Sequence, residues 1–432
     1  MTKWIWVGGL VMASGISAPW GVGVVTEQQW QQVTNEANAS QAFFEVSTRQ
    51  YERHFFSADI EGTLHIKDPG TGEVFDYAYR GDVSHGLLSS RVDFQPDGAP
   101  SELFAELFPD QRPTLAVTVN AWGSADVELT IPAIHMTSEQ TGESLDSTEA
   151  YGWGTIADSG SELDMSFRWP GLTTRGPNAQ FAVGNVAFAQ TLRRLEGDVW
   201  IGDSRLTLDS LEVDLDAQPA VNLTGLSLVS EATAEQDNHR FSSGLTLAID
   251  QVRSDEEVSG PHRATFVMNG LSVDAWNGFM AVLSDMQTLA LTHGNKPSAS
   301  SEALVEQQMA LMLDISNALK VLAGAGMSFG FPEVLFTTPE GLVRAELMLQ
   351  HPELTAEEQA DMTLVMQRLT GAFKMSIPVA YAESEPALMA QLMPLIDQGM
   401  VVRDGEHFTL GAELKDLEID VNGQTIPLPP MI

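Results

Sequence analysis

The residues able to do chemistry in this chain are Ser, Thr, His, Asp, Glu, Lys and Tyr, because cysteine is absent. That one absence removes disulfides, thiolate nucleophiles and cysteine-ligated metals together. The nine His residues are scattered, and no two stand four apart, the spacing that sets two imidazoles on one helix face. No HExxH, GxSxG, phosphate-binding loop or dinucleotide fingerprint occurs in the part of the chain that follows the first apolar stretch. One row of carboxylates does stand out. Glu212, Asp214 and Asp216 alternate along a strand pattern and share a face, a donor set that suits calcium; a solvated strand face in an acidic protein is the simpler reading. His85 precedes a glycine and reads as a buried, hydrogen-bonded structural residue, and Arg53 beside Tyr51 as a structural contact. No catalytic, cofactor-binding or metal-binding residue is assigned, and the chain is read as non-enzymatic with no cofactor.

Four methionines offer a different kind of chemistry. Met280, Met286, Met309 and Met312 fall on apolar helix faces. Such residues usually fill a core, but flexible thioethers also suit surfaces that accept varied apolar partners. Core is the expectation, and a groove for acyl chains is the alternative.

The elements that must position these residues follow from the pattern. In SADIEGTLHIK, Ala58, Ile60, Leu64 and Ile66 alternate with polar residues, giving a strand with one dry face. The alternation recurs at Leu115 to Val119, Val127 to Ile131, Leu211 to Leu215 and Leu245 to Ile249. Turn signals separate such runs at Asp68-Pro69-Gly70, Asp97-Gly98, Ser159-Gly160 and Gly202-Asp203. Strands in succession without helices predict antiparallel meanders. From Val273 the period changes, predicting helices over Val273 to Thr292 and from Ser301. A third helix is capped by Thr355 and Glu358 and runs to about Leu369, and a last one starts at Ser384 and Pro386 and kinks at Pro394. The chain ends in strands, with Asn422-Gly423 in a hairpin turn.

The predicted fold is therefore α+β and predominantly antiparallel β. Long curved meandering sheets carry several amphipathic helices in the C-terminal half, after one N-terminal membrane helix. The expected domains are an anchor at 1–26, a β-rich region at 27–270 and a mixed α/β region at 271–432. The anchor rests on the uncharged stretch from Trp4 to Thr26, which as a helix would reach about 35 Å, enough to cross a hydrocarbon core. Lys3 precedes it and Glu27 follows, so the terminus stays inside and the bulk is exported to the periplasm. A cleaved signal ending at Ala13-Ser14-Gly15 is the competing reading; it would strand the uncharged residues Ile16 to Val25 at the new terminus.

Hydrophobic residues make up 43% of the 432, so the chain can bury a core. The formal charge of −37 repels nucleic acid and anionic head groups alike, so nucleic acid is not an expected partner. Adaptation to salt accounts for such a surface more simply than a specific cation site.

Three segments carry a family resemblance: Tyr51-Glu52-Arg53 with Phe56-Ser57-Ala58, then Val83-Ser84-His85-Gly86, and Asp404-Gly405 through Val421-Asn422-Gly423-Gln424-Thr425-Ile426-Pro427-Leu428. Together with the N-terminal stretch they resemble the YdgA-like family of uncharacterised bacterial envelope proteins. His54 and Leu87 stand where that family usually has Gly and Pro. The resemblance implies an inner-membrane tether, a periplasmic location and a β-rich fold, and it carries over no catalytic residues. Two functions remain open. One is an envelope protein that binds lipid or another hydrophobic ligand in an apolar groove; the other is a scaffold acting through self-association or protein partners.

Overall fold

A computed structural model describes residues 30–428, apart from 32–33, 36–37, 39–43, 55, 68–72, 87–88, 98–106, 121–122, 139–140, 158–159, 217, 256 and 294–300. The expected membrane helix over 1–26 and the linker from His293 to Ser300 lie outside the described residues, save His293 itself. At 64% strand and 19% helix, the chain is a mostly antiparallel β protein with helical insertions. It folds as two compact units, residues 1–193 and 194–432. The change from strands to helices near residue 271 falls inside the second.

The first unit is an open antiparallel sheet. Its strands are β1 (Phe44–Arg53), β2 (Ser57–Lys67), β3 (Val74–His85), β4 (Ser89–Pro96), β5 (Thr114–Asn120), β6 (Ala125–Ile131), β7 (Ile134–Thr137), β8 (Ser144–Ser147), β9 (Ala150–Ala157), β10 (Glu162–Arg175) and β11 (Ala179–Glu196). Pairing runs β1-β2-β3-β4-β5-β6-β9-β10-β11, with β8 beside the second half of β10 and β7 on β8. The alternation in β2 does what it predicts: Ala58 and Ile60 are fully buried and pack with Val83 and Val92. Trp30 closes this cluster from outside the sheet. Its ring lies 5.4 Å from Phe94 and 6.3 Å from Tyr79, and its indole N–H donates to Thr48 Oγ1 at 2.8 Å.

Among the described residues, the outer edge of β1 meets a side chain and no strand. Asn38 Oδ1 accepts from the Val46 backbone N–H at 2.7 Å, and its Nδ2 donates to the Val46 carbonyl at 2.9 Å. This reproduces the two-bond exchange of a hydrogen-bonded antiparallel pair.

The second unit is also an open sheet, with helices added. Its strands are β12 (Val199–Leu215), β13 (Gln218–Glu235), β14 (Arg240–Ile249), β15 (Gln251–Ser254), β16 (Glu257–Ser259), β17 (His262–Ser272), β18 (Met327–Thr338), β19 (Gly341–His351), β20 (Thr370–Pro378), β21 (Val402–Asp404), β22 (His407–Lys415), β23 (Glu418–Val421) and β24 (Gln424–Pro427). The main order is β12-β13-β14-β17-β18-β19-β20-β22-β23-β24. The expected turn at Gly202-Asp203 is not one: β12 runs through it, and the turn lies at Gly197-Asp198. Asn277 decides between the two Gly-Asp pairs, since its Oδ1 accepts from the Asp198 N–H at 3.0 Å and its Nδ2 donates to the Glu196 carbonyl at 3.3 Å.

The helices of the second unit are α1 (Val273–His293), α2 (Ser301–Gly324), α3 (Ala356–Ala360), α4 (Met362–Gln367), α5 (Val379–Ser384) and α6 (Pro386–Asp397). Thr355 and Glu358 form the capping box expected of them. The helix they open stops early, however. Asp361 leaves helical geometry and accepts from the Thr363 N–H at 2.9 Å, so it caps a second short helix where one continuous helix was expected. The last helix begins at Pro386, as its missing N–H favours, with Pro394 inside it. Ser384 ends the helix before it.

Candidate functional site: an apolar sheet face flanked by helices

Side chains alternate between the two faces of a strand, so pairing register decides which ones form a surface. In the second unit one register line joins Leu206, Leu228, Leu247, Ala264, Val334, Ala345, Met375 and Leu410, one from each of eight adjacent strands. Every member is apolar. On one side of this row stand Leu245, Phe266, Phe331, Leu347 and Phe373, with the rings of Phe266 and Phe331 5.1 Å apart. On the other side Ile249, His262 and Phe336 are paired across β14, β17 and β18. The opposite face is mainly polar. It carries Thr246 hydrogen-bonded to Thr265, Arg263 paired with Glu333 at 3.9 Å, and Glu346 directly across from Lys374.

Helices cover the apolar face in two places. α1 and the end of α2 bury Phe241, Leu271, Val273 and Leu322 together with Val199 and Ile201. α5 and α6 bury Ile377 and Phe408 around Ala382 and Leu392, with Met375 and Leu410 of the apolar row packed against them. Between these clusters the face is open. Leu245 and Leu247 are each 39% exposed, and Phe331 and Phe336 are exposed as well. A contiguous apolar surface of this kind on a folded unit marks a place where something apolar binds.

His262 is the ring-bearing polar group on this surface, where Ser230 and Ser204 also continue the Leu245 row. Its ring stacks on Phe336 at 4.5 Å, Nε2 lies 3.2 Å from Ser259 Oγ, and Nδ1 is buried without a hydrogen-bond partner among the described residues. Burial holds its pKa below the ordinary 6.5, so the ring presents itself as a neutral, flat, largely apolar group.

The methionines fall mostly on the open side. Met309 is 62% exposed and Met312 73%, and Met286 is exposed too, whereas Met280 is half-buried. The expectation of an ordinary core fails for three of the four. Leu313, Leu319 and Val321 are exposed on α2 beside Met309 and Met312, while Leu322 near its end is buried.

The other residues singled out by type are dispersed. Glu212 and Asp214 are exposed on β12 and Asp216 lies just past it; among the described residues no group of three His, Asp or Glu is arranged to hold a metal ion. His85 sits in the first unit with Nδ1 3.3 Å from Ser90 Oγ and Nε2 buried without a hydrogen-bond partner among the described residues. Tyr51 packs on the Ala58 cluster, and Arg53 lies at the exposed end of β1.

Register also assembles a trio that residue types alone did not suggest. His65 Nδ1 lies 2.6 Å from Asp76 Oδ1, and its Nε2 lies 3.2 Å from Ser47 Oγ, across β1, β2 and β3. The order Ser, His, Asp is that of a hydrolytic triad. Here it lies on a flat sheet surface with the Asp76 side chain 63% exposed, and the Ser47 hydroxyl also reaches the Thr63 carbonyl at 3.1 Å. A hydroxyl has one proton, so donation to Thr63 leaves none for His65.

The described architecture defines an antiparallel β protein that carries an uncovered apolar sheet face between two helix-covered clusters. Over residues 1–429 the chain matches the family DUF945, bacterial protein of unknown function, and it belongs to that family. No curated protein and no solved structure matches it. Among the described residues no helix is long and apolar enough to cross a membrane.

Proposed function

We propose that this is a non-enzymatic, YdgA-like protein of the bacterial envelope that holds lipid or another apolar ligand against the open sheet face of its second unit. The run from Trp4 to Thr26 tethers it to the inner membrane, with the bulk of the chain in the periplasm. The observation that carries the reading is the apolar row from Leu206 to Leu410, helix-covered near Met375 and Leu410 and open around Leu245 and Leu247. An acyl chain covering roughly 300 Å2 of that surface gains about 7 kcal/mol. Association itself costs about 4–15 kcal/mol, so burial of this size supports at most weak, exchangeable binding.

Native mass spectrometry of gently extracted protein tests this directly. Co-purifying lipid is expected on the wild type and strongly reduced on a Leu245→Glu, Leu247→Glu double variant that keeps its thermal transition. Lipid-free wild-type protein would sink the proposal. If light scattering then shows a dimer that the same double substitution dissolves, the face belongs to a second copy and the scaffold reading replaces this one.

A further inference from the structure

Side-chain size changes from row to row across the open face of the second unit. The middle row narrows to Ala264, Val334 and Ala345 on β17, β18 and β19. On one side of these three stand Phe266, Phe331 and Leu347, and on the other His262, Phe336 and Val343. Rows on one face lie about 7 Å apart, so the small residues form the floor of a trough one row wide between two taller walls. Both walls are braced by ring contacts, Phe266 on Phe331 at 5.1 Å and His262 on Phe336 at 4.5 Å. The trough runs across the strands, and its width admits one hydrocarbon chain.

Its two ends differ in chemistry. Past Ala345 the floor continues to Met375 and Leu410, which pack beneath the α5–α6 cluster, so that end is stopped. Past Leu247 it continues to Leu228 on β13, where the wall residue across from Leu245 is Ser230. From β14 to β20 no Arg, Lys, Asp or Glu stands in any of the three rows. The five strands from Ser230 on β13 to Ala345 on β19 cover about 19 Å. An extended chain advances about 3.6 Å over the three bonds of a residue, so about 16 carbon–carbon bonds fill that length.

We propose that the trough takes one extended acyl chain of about 16 carbons, laid across the strands with its methyl end toward Met375 and its ester end at Ser230, from a lipid whose head group carries no net negative charge. The inference rests on the lipid-binding reading above and adds to it the ligand's class, length and direction. The Ser230 hydroxyl is placed to donate to an ester carbonyl, and the head group projects beyond β14. A free carboxylate at that point would meet no cation in these rows, and the formal charge of −37 repels it.

The probes are lysophosphatidylcholines of 12 to 20 carbons, which carry a single ester-linked chain, and palmitate. They are offered at limiting total concentration to delipidated full-length protein, and occupancy is read by native mass spectrometry. Affinity is expected to rise about fourfold with each added pair of carbons up to 16, the gain from half-burying two methylenes, and to level off beyond. Palmitate is expected to bind about tenfold more weakly than the 16-carbon ester. Ala264→Leu with Ala345→Leu, an apolar change that raises the floor, is expected to cut occupancy about tenfold with the thermal transition retained. A diazirine on the terminal carbon of the chain is expected to crosslink the β20 peptide that holds Met375, and one beside the carbonyl the β13 peptide that holds Ser230. If the double variant loses its transition, the length series and the crosslinks on the wild type decide. Absence of binding at every length removes the lipid-binding reading and this inference together. Binding that climbs steadily through 20 carbons, accepts palmitate equally, survives the raised floor or gives reversed crosslinks overturns the trough and leaves lipid binding on the face standing.

Discussion

The guanidinium of Arg240 donates to the carbonyl oxygen of Gly326 at 2.9 Å, tying the start of β14 to the turn that leaves α2. The same group donates to the carbonyls of Gly270 and Ala325, and it meets the Glu353 carboxylate at 3.0 Å. Its side chain is 16% exposed while that of Glu353 is 74% exposed, so the three carbonyls, not the ion pair, are where this residue matters. Arg240→Met should lower stability by about 2–4 kcal/mol, since it leaves partly buried carbonyls unpaired. Arg240→Lys should recover only part of that, because an ammonium cannot fork between parallel acceptors. Urea unfolding of the two variants checks both expectations.

The methionine surface of α2 makes a contrasting pair of expectations. Met309→Gln with Met312→Gln should change stability by no more than about 0.5 kcal/mol per site, as substitutions at exposed positions do. Leu322→Ala, in the cluster under α1, should cost about 2–5 kcal/mol. A large loss from the methionine pair would mean that they are packed after all.

Two partly buried imidazoles set a pH dependence. Burial lowers the pKa of His85 and of His262 below the ordinary 6.5. In the folded state both rings therefore resist protonation, while in the unfolded chain they accept a proton near 6.5. As pH falls below that value the unfolded state binds more protons, and stability declines until the folded values are reached; above it the two rings contribute no slope. The urea midpoint should fall between pH 7.5 and 5.5. A His85→Gln, His262→Gln variant should show a shallower fall, and an unchanged slope would remove these two residues as its cause.

Alkaline phosphatase fused after Ser40 should be active, and the intact protein should stay in the membrane pellet after a carbonate wash. Both follow from Lys3 before the uncharged run and Glu27 after it. Recovery of a soluble form beginning near Ile16 would identify a cleaved signal in place of a tether.

Local chemistry was legible in the residues; assembly was not. Asn422-Gly423 reads as a two-residue hairpin turn because both positions need positive φ, and both have it, at 49° and 88°. Thr355 with Glu358 reads as a capping box and forms one. The limits appear where a distant partner chooses. Gly197-Asp198 and Gly202-Asp203 are equal as turn signals, and Asn277, far along the chain, selects the first. Helical spacing groups the methionines on α1 and α2 but cannot say whether another element covers them, and three of the four are exposed. The apolar row across eight strands and the Ser47, His65 and Asp76 trio depend on pairing register. No single strand's sequence contains that information.

Asn38 holds a further consequence. A sheet whose first strand stood open would be a template onto which any extended chain could add, and copies could then grow end to end. By occupying both backbone groups of Val46, one carboxamide works as a terminator: it imitates the neighbour that would otherwise arrive, yet offers no strand for the next one to join. In the second unit the edge strand β24 is only four residues long and includes Pro427, which has no N–H to give. Among the described residues, one asparagine on β1 and one proline on β24 each take away a backbone group onto which a further strand could add.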